Sequence, residues 1–122
     1  MNIDKFTEKA QGALFEAQSL AQRLGHQELD AEHILLSLVT QDEGLVPQIL
    51  EKLGARPEHI RQHAETALRD RPRVSGTGQV YLSSRAQQVL ATAEEEARRF
   101  RDDFISTEHL LLGLLALRDG AV

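Results

Sequence analysis

At 122 residues the chain is one domain's worth, too short to combine a cofactor-binding fold with a substrate domain. Apolar residues at 41% and charged residues at 27% are an ordinary globular composition, and four Phe, one Tyr and no Trp leave an aliphatic core. Fourteen basic against nineteen acidic residues give a net charge of −5, which repels a phosphate backbone and excludes nucleic acid as a partner, while the lack of cysteine removes disulfide and thiolate chemistry.

The opening Met1-Asn2-Ile3-Asp4-Lys5 lacks the charged and apolar regions of a signal peptide, and no apolar run approaches the roughly 20 residues that span a bilayer. The expectation is a cytoplasmic chain without a membrane partner. From Phe6 to Leu24, the residues Phe6, Ala10, Ala13, Leu14, Ala17, Leu20, Ala21 and Leu24 recur at spacings of three and four, one stripe of an amphipathic helix that Gly25 ends. Asp30 caps a second helix with Glu32 in its first turn, and Ile34 to Val39 is apolar almost all round, so this helix is central. Pro47 suits the first turn of a short third helix carrying Ile49, Leu50 and Leu53 and closed by Gly54. Pro57 opens a fourth with Ile60, Ala64, Ala67 and Leu68 on one face. Residues 71–81 begin with a Pro- and Gly-containing stretch without periodicity and read as a linker.

Beyond it the chain repeats itself. Shifted by 76 positions, residues 6–46 fall on residues 82–122 without a gap, and 13 of the 41 pairs are identical, among them Ala10/Ala86, Leu14/Leu90, Ala17/Ala93 and Ala21/Ala97. The clearest stretch sets Asp30-Ala31-Glu32-His33-Ile34-Leu35-Leu36 over Ser106-Thr107-Glu108-His109-Leu110-Leu111-Leu112. A long helix carrying Ala86, Val89, Leu90, Ala93, Ala97 and Phe100 and a second one from Thr107 to about Leu117, capped by Ser106, follow. The partner of Pro47 would be residue 123, so the second unit lacks counterparts of the third and fourth helices, and the chain reads as a fragment of something longer. A helical unit unable to bury its apolar face alone packs against its copy, which gives one domain with repeat one at 1–70, a linker at 71–81 and an incomplete repeat two at 82–122.

Catalytic chemistry is hard to find. The pairs Glu32-His33 and Glu108-His109 carry metal-ligand and general-base residue types, but adjacent helical residues point about 100° apart and neither pair extends to His-Glu-x-x-His. First-turn carboxylates that complement the helix dipole explain them without a metal. Gly76-Thr77-Gly78 lacks the spacing and the Lys-Ser/Thr of a phosphate loop, and no Gly-x-Ser-x-Gly elbow accompanies the five histidines. A helix-turn-helix reader needs exposed basic residues where residues 34–39 and 110–117 are apolar, and the run Glu94-Glu95-Glu96 before Arg98, Arg99 and Arg101 pairs with itself along a solvated helix face. The remaining reading is a recognition surface near the seam between the copies. Thr7 starts the first helix, Asp102 and Asp103 follow the fifth, and Glu108 begins the sixth, so polar and acidic groups gather at helix ends beside apolar side chains.

The duplicated (Asp/Ser)-x-Glu-His-(Ile/Leu)-Leu-Leu-x-Leu element resembles the amino-terminal domain of Clp/Hsp100 unfoldases, as do the opening Phe6-Thr7-Glu8-Lys9-Ala10 and the linker Val74-Ser75-Gly76-Thr77-Gly78. The linker, with Asp102-Asp103-Phe104-Ile105-Ser106, is most similar to the ClpB branch of disaggregases. The resemblance implies an all-α fold of two pseudo-twofold-related helical repeats, the second truncated here, tethered to AAA+ ATPase modules that form a hexamer working with an Hsp70 system. It implies capture of unfolded or aggregated polypeptide, with substrate-binding residues carried over to Thr7, Asp102 and Glu108 around an apolar groove, and to Glu32 and Asp103 with less weight. In the ClpC branch the two Glu-His glutamates recognise phosphorylated arginine, which would fall on Glu32 and Glu108. No catalytic residue, metal or cofactor is expected in this chain, since ATP and Mg belong to the parent's ATPase modules. Two other readings are a ClpC/ClpA-type domain that docks an adaptor for a protease partner, and a stand-alone helical enzyme using Glu108 and His109.

Overall fold

The computed structural model describes residues 3–74 and 79–117; positions 75–78 of the expected linker and 118–122 of the expected second repeat lie outside the described residues. A single 3-10 turn at Ile3–Lys5 leads into α1 (Glu8–Arg23), β1 (Glu28–Leu29), α2 (Ala31–Val39), α3 (Leu45–Lys52), α4 (Pro57–Arg69), β2 (Tyr81–Leu82), α5 (Ser84–Arg99) and α6 (Thr107–Leu115).

Local chemistry sets these boundaries, and it does so twice. The Thr7 hydroxyl caps α1 by accepting the Ala10 N–H at 3.1 Å, and the Ser83 hydroxyl caps α5 by accepting the Ala86 N–H at 3.0 Å. Both long helices end in the same paired turn. Gly25 and His26 donate to the carbonyls of Gln22 and Ala21 at 3.1 and 2.9 Å, and Arg101 and Asp102 donate to those of Arg98 and Ala97 at 3.0 and 2.8 Å. That turn needs a left-handed residue, supplied by Gly25 at φ 72° and, less comfortably, by Arg101 at φ 58°.

Alanines on α1 (Ala10, Ala13, Ala17, Ala21) and α5 (Ala86, Ala93, Ala97) are buried, which lets these helices lie close against α2 and α6. The two apolar helices meet at the centre. Ile34 and Leu38 on α2 and their offset partners Leu110 and Leu114 on α6 are completely buried, each burial stabilising by roughly 2 kcal/mol. α4 packs on α2, and α3 reaches across to α6.

The repeats also exchange their entry segments. β2 pairs in parallel with β1, Leu82 opposite Leu29, and a matching bridge joins Phe6 to Ile105. Shifting one pair by 76 gives the other. The Thr7 N–H donates to the Ile105 carbonyl at 2.9 Å, and the Ser83 N–H donates to the Leu29 carbonyl at 3.0 Å. Reciprocal contacts of this kind are what a twofold axis produces, so the all-α fold of two pseudo-twofold-related repeats is present, with a two-residue ladder across one seam and a single bridge across the other.

Several details differ from the sequence pattern. α1 starts at Glu8, because Phe6 is used in the bridge, and Tyr81 and Leu82 are a strand. Phe100, expected on the apolar stripe of α5, is 60% exposed. Its offset partner Leu24 faces a recess that Leu68 of α4 helps to line, and repeat two has no helix equivalent to α4 among the described residues. Leu53 is 70% exposed at the end of α3, since that helix buries Val46 and Leu50.

Candidate functional site

Each Glu-His element closes its helix with a reciprocal cap. The Asp30 N–H donates to His33 Nδ1 at 2.9 Å and the Ser106 N–H donates to His109 Nδ1 at 2.9 Å, so the proton of each neutral imidazole sits on Nε2. The two relays end differently. His33 Nε2 meets His26 Nδ1 at 2.8 Å, and His26 in turn bonds the Leu68 backbone. His109 Nε2 donates to the Asp102 carboxylate at 2.9 Å. His26 and Asp102 are offset partners, placed by the same turn. Burial, then His26 and Arg71, push the His33 pKa down to about 4, and burial with Arg71 and Arg73 lowers that of His26.

The seam around Asp30 is sealed by charge. Arg71 spans the Asp30 and Glu32 carboxylates at 2.6 Å each, Arg85 contacts both at 3.1 Å, and the Ser83 hydroxyl donates to Asp30 at 2.7 Å. Burial works against the Asp30 carboxylate, but the Ser83 hydroxyl and Arg71 outweigh it and hold its pKa at about 2. Glu32, with a buried side chain and two guanidiniums, is therefore an internal ion-pair partner in this fold. That occupation leaves little of it for a ligand. Sequence reasoning missed His26, Arg71 and Arg85; only the first had a signal, as the offset partner of Asp102.

The opposite seam is open. Here the counterpart of Asp30 is Ser106, and the counterpart of Arg85 is Lys9, which reaches instead to the Asp42 carbonyl at 2.8 Å. Glu108 is half-buried and takes only a long 3.4 Å contact from the Thr107 hydroxyl among the described residues. Thr7 is tied by its backbone to Ile105, Asp102 holds His109, and Asp103 is exposed. Thr7, Asp102 and Asp103 thus come together around the Phe6–Ile105 bridge, with Glu108 in the helix turn that follows it. Ile3 and Phe104 flank the bridge along the chain, 40% and 55% exposed.

An apolar trough of about 450 Å³ lies between the repeats, with Leu35 and its partner Leu111 on its floor and Leu50, Leu53, Ile60 and Leu115 on its walls. Of the sequence candidates only Glu32 lines it. The polar corner and the apolar trough are therefore separate surfaces, where a single rimmed groove was expected. Among the described residues no three His, Cys, Asp or Glu side chains are arranged to hold a metal, and no helix is long and apolar enough to cross a membrane.

The family model described as the Clp repeat (R) N-terminal domain matches residues 5–122. The chaperone protein ClpB of Nitratidesulfovibrio vulgaris is 47% identical over 119 residues, which cover 94% of this chain and 14% of that protein. The Hsp104 N-terminal domain from Candida albicans shares the fold with a TM-score of 0.84 at 20% identity, over 92% of this chain and 74% of that one. A ClpV N-domain solved in complex with a VipB peptide does so with a TM-score of 0.78 at 21% identity, over 93% and 69% of the two chains. The chain spans about a seventh of the length of the curated ClpB chaperone it resembles. Since the match runs through both copies and omits only the first four residues, the chain belongs to the Clp repeat N-terminal domain family.

Proposed function

We propose that this domain recruits unfolded or aggregated polypeptide for a ClpB-type disaggregase in the cytoplasm, passing it to the pore of an AAA+ hexamer that works with an Hsp70 system. The domain itself catalyses nothing and holds no cofactor; ATP and Mg act in the parent. The observation that carries this reading is the open seam: a half-buried glutamate without a cationic partner among the described residues, a bridge presenting Thr7, and exposed Ile3 and Phe104 beside it. Carboxylates there take backbone N–H groups or basic side chains, and the apolar side chains take exposed hydrophobes of the client. The peptide bound by the structurally similar ClpV N-domain supports a peptide-capturing role for the fold.

Weak capture suits such a task, because a disordered client loses ordering entropy on binding and must be released to the motor. Thr7→Ala combined with Glu108→Ala lowers affinity for reduced, carboxymethylated lactalbumin by about tenfold, the scale of losing a hydrogen bond to a charged group. Fluorescence anisotropy measures this, with far-UV circular dichroism verifying the fold. Superimposable titration curves for wild type and double variant would defeat the proposal.

A further inference from the structure

We propose that Asp102 serves client capture as a positioning residue, acting through His109, and does not itself need to touch the client. This inference rests on the recruiting role proposed above and assigns the work within that seam.

The internal repeat supplies the argument. Position 102 and its partner, position 26, are placed by the same helix-ending turn, with the residue before each in the left-handed region and its own N–H returned to the last turn of the helix at 2.8 and 2.9 Å. At position 26 the side chain is buried, and its near nitrogen meets the capping imidazole of His33 at 2.8 Å. There the ring, besides bonding the Leu68 backbone, accepts the proton on Nε2 of His33 and so keeps Nδ1 free for the backbone N–H that starts the helix. Asp102 performs the same act on His109 at 2.9 Å, whose Nδ1 takes both the Ser106 N–H at 2.9 Å and a contact with the Ser106 hydroxyl at 3.0 Å.

His109 is 6% exposed, so it cannot reach a client itself. What it fixes is the first turn of α6. Glu108 precedes it in the chain, and Ile105, whose carbonyl receives the Thr7 N–H, lies just before the cap. Losing the acceptor on Nε2 frees the imidazole to exchange tautomers or rotate, which loosens Ser106, Glu108 and the bridge together. The Asp102 carboxylate is half exposed, so replacing it does not threaten the core.

Two substitutions separate positioning from contact. Asp102→Asn keeps a carbonyl oxygen that accepts the Nε2–H but removes the charge, whereas Asp102→Ala removes the acceptor. With labelled reduced, carboxymethylated lactalbumin as probe, the expected result is that Asn stays within about twofold of wild type while Ala weakens binding about fivefold, the size of a lost helix cap. Nitrogen-15 shifts of the His109 ring report the tautomer directly: Nε2–H persists in wild type and Asn and gives way to a mixture in Ala. If Asn weakens binding as much as Ala while the His109 signals stay unchanged, Asp102 contacts the client by charge and the inference fails. An unaltered tautomer in Ala defeats it equally. A wild-type chain that does not bind the probe removes the recruiting role and this inference together, whereas the other two failures leave the role intact.

Discussion

Gly113 and Gly12 give the most discriminating test of how the helices pack, because the same substitution should act with opposite sign at the two sites. Both lie inside helices, α6 and α1, where Ala is preferred over Gly by about 1 kcal/mol. At Gly12 an added Cβ meets only the flexible Gln41 Nε2 at 3.6 Å, an ordinary contact. Gly12→Ala should therefore gain most of the propensity term, about 0.5–1 kcal/mol. At Gly113 the Cβ would collide with the carbonyl oxygen of Val89 on α5, with the carbonyl carbon and Cγ1 of the same residue at 3.1 Å. Backbone in a facing helix cannot rotate aside, so α5 and α6 must separate. Overpacking of this kind costs about 1–3 kcal/mol, here toward the upper end, leaving a net loss of about 1–2 kcal/mol once propensity is credited. Repeat one shows the alternative solution, with Ala13 and Ser37 at the positions of Val89 and Gly113. Urea unfolding followed at 222 nm should then place the two variants about 1.5–3 kcal/mol apart on either side of wild type. A Gly113→Ala chain as stable as wild type, or a Gly12→Ala chain less stable, refutes the packing argument.

Acidification should weaken the fold in two stages. His33 is held neutral with a pKa of about 4, below its ordinary value near 6.5, so its contribution is complete above pH 6.5 and falls away as the pH drops toward 4, a loss of about 3 kcal/mol. Asp30, held at about 2, contributes fully above pH 4 and loses about 2 kcal/mol between there and pH 2. Flat stability between pH 7 and 4 in chemical denaturation contradicts the first stage. Arg71→Met should cost about 2 kcal/mol, less than the usual price of breaking a buried pair because Arg85 still faces both carboxylates; an unchanged midpoint contradicts the seal. Arg101→Gly should raise stability by about 0.5–1 kcal/mol by relieving a left-handed non-glycine residue, and Gly25→Ala should lower it by a similar amount or more, both read from thermal unfolding.

The helical periods, the caps at Asp30 and Ser106 and the duplication are legible in consecutive residues, whereas the Thr7 and Ser83 hydroxyl caps of the long helices were seen only in the structure. Alanine and leucine spacing along residues 10–21 and 86–97 is a backbone-period signal, and Asp30, Ser106 and the prolines at 47 and 57 act through bonds within a few residues of themselves. The offset of 76 likewise needed no coordinates, and it implied two like units facing each other. Tertiary structure decided everything that turns on which of two equivalent places is occupied. Glu32 and Glu108 are indistinguishable as Glu-His elements, yet one is clasped by Arg71 and Arg85, which lie 39 and 53 residues away, and the other is left open. The pairing of Tyr81–Leu82 with Glu28–Leu29, two residues on each side, is too short to leave a periodicity, and the exposure of Phe100 depends on whether another helix lies over it. Local bonding and period are written into consecutive residues, whereas charge pairing and burial across a seam are fixed only when distant segments share one space.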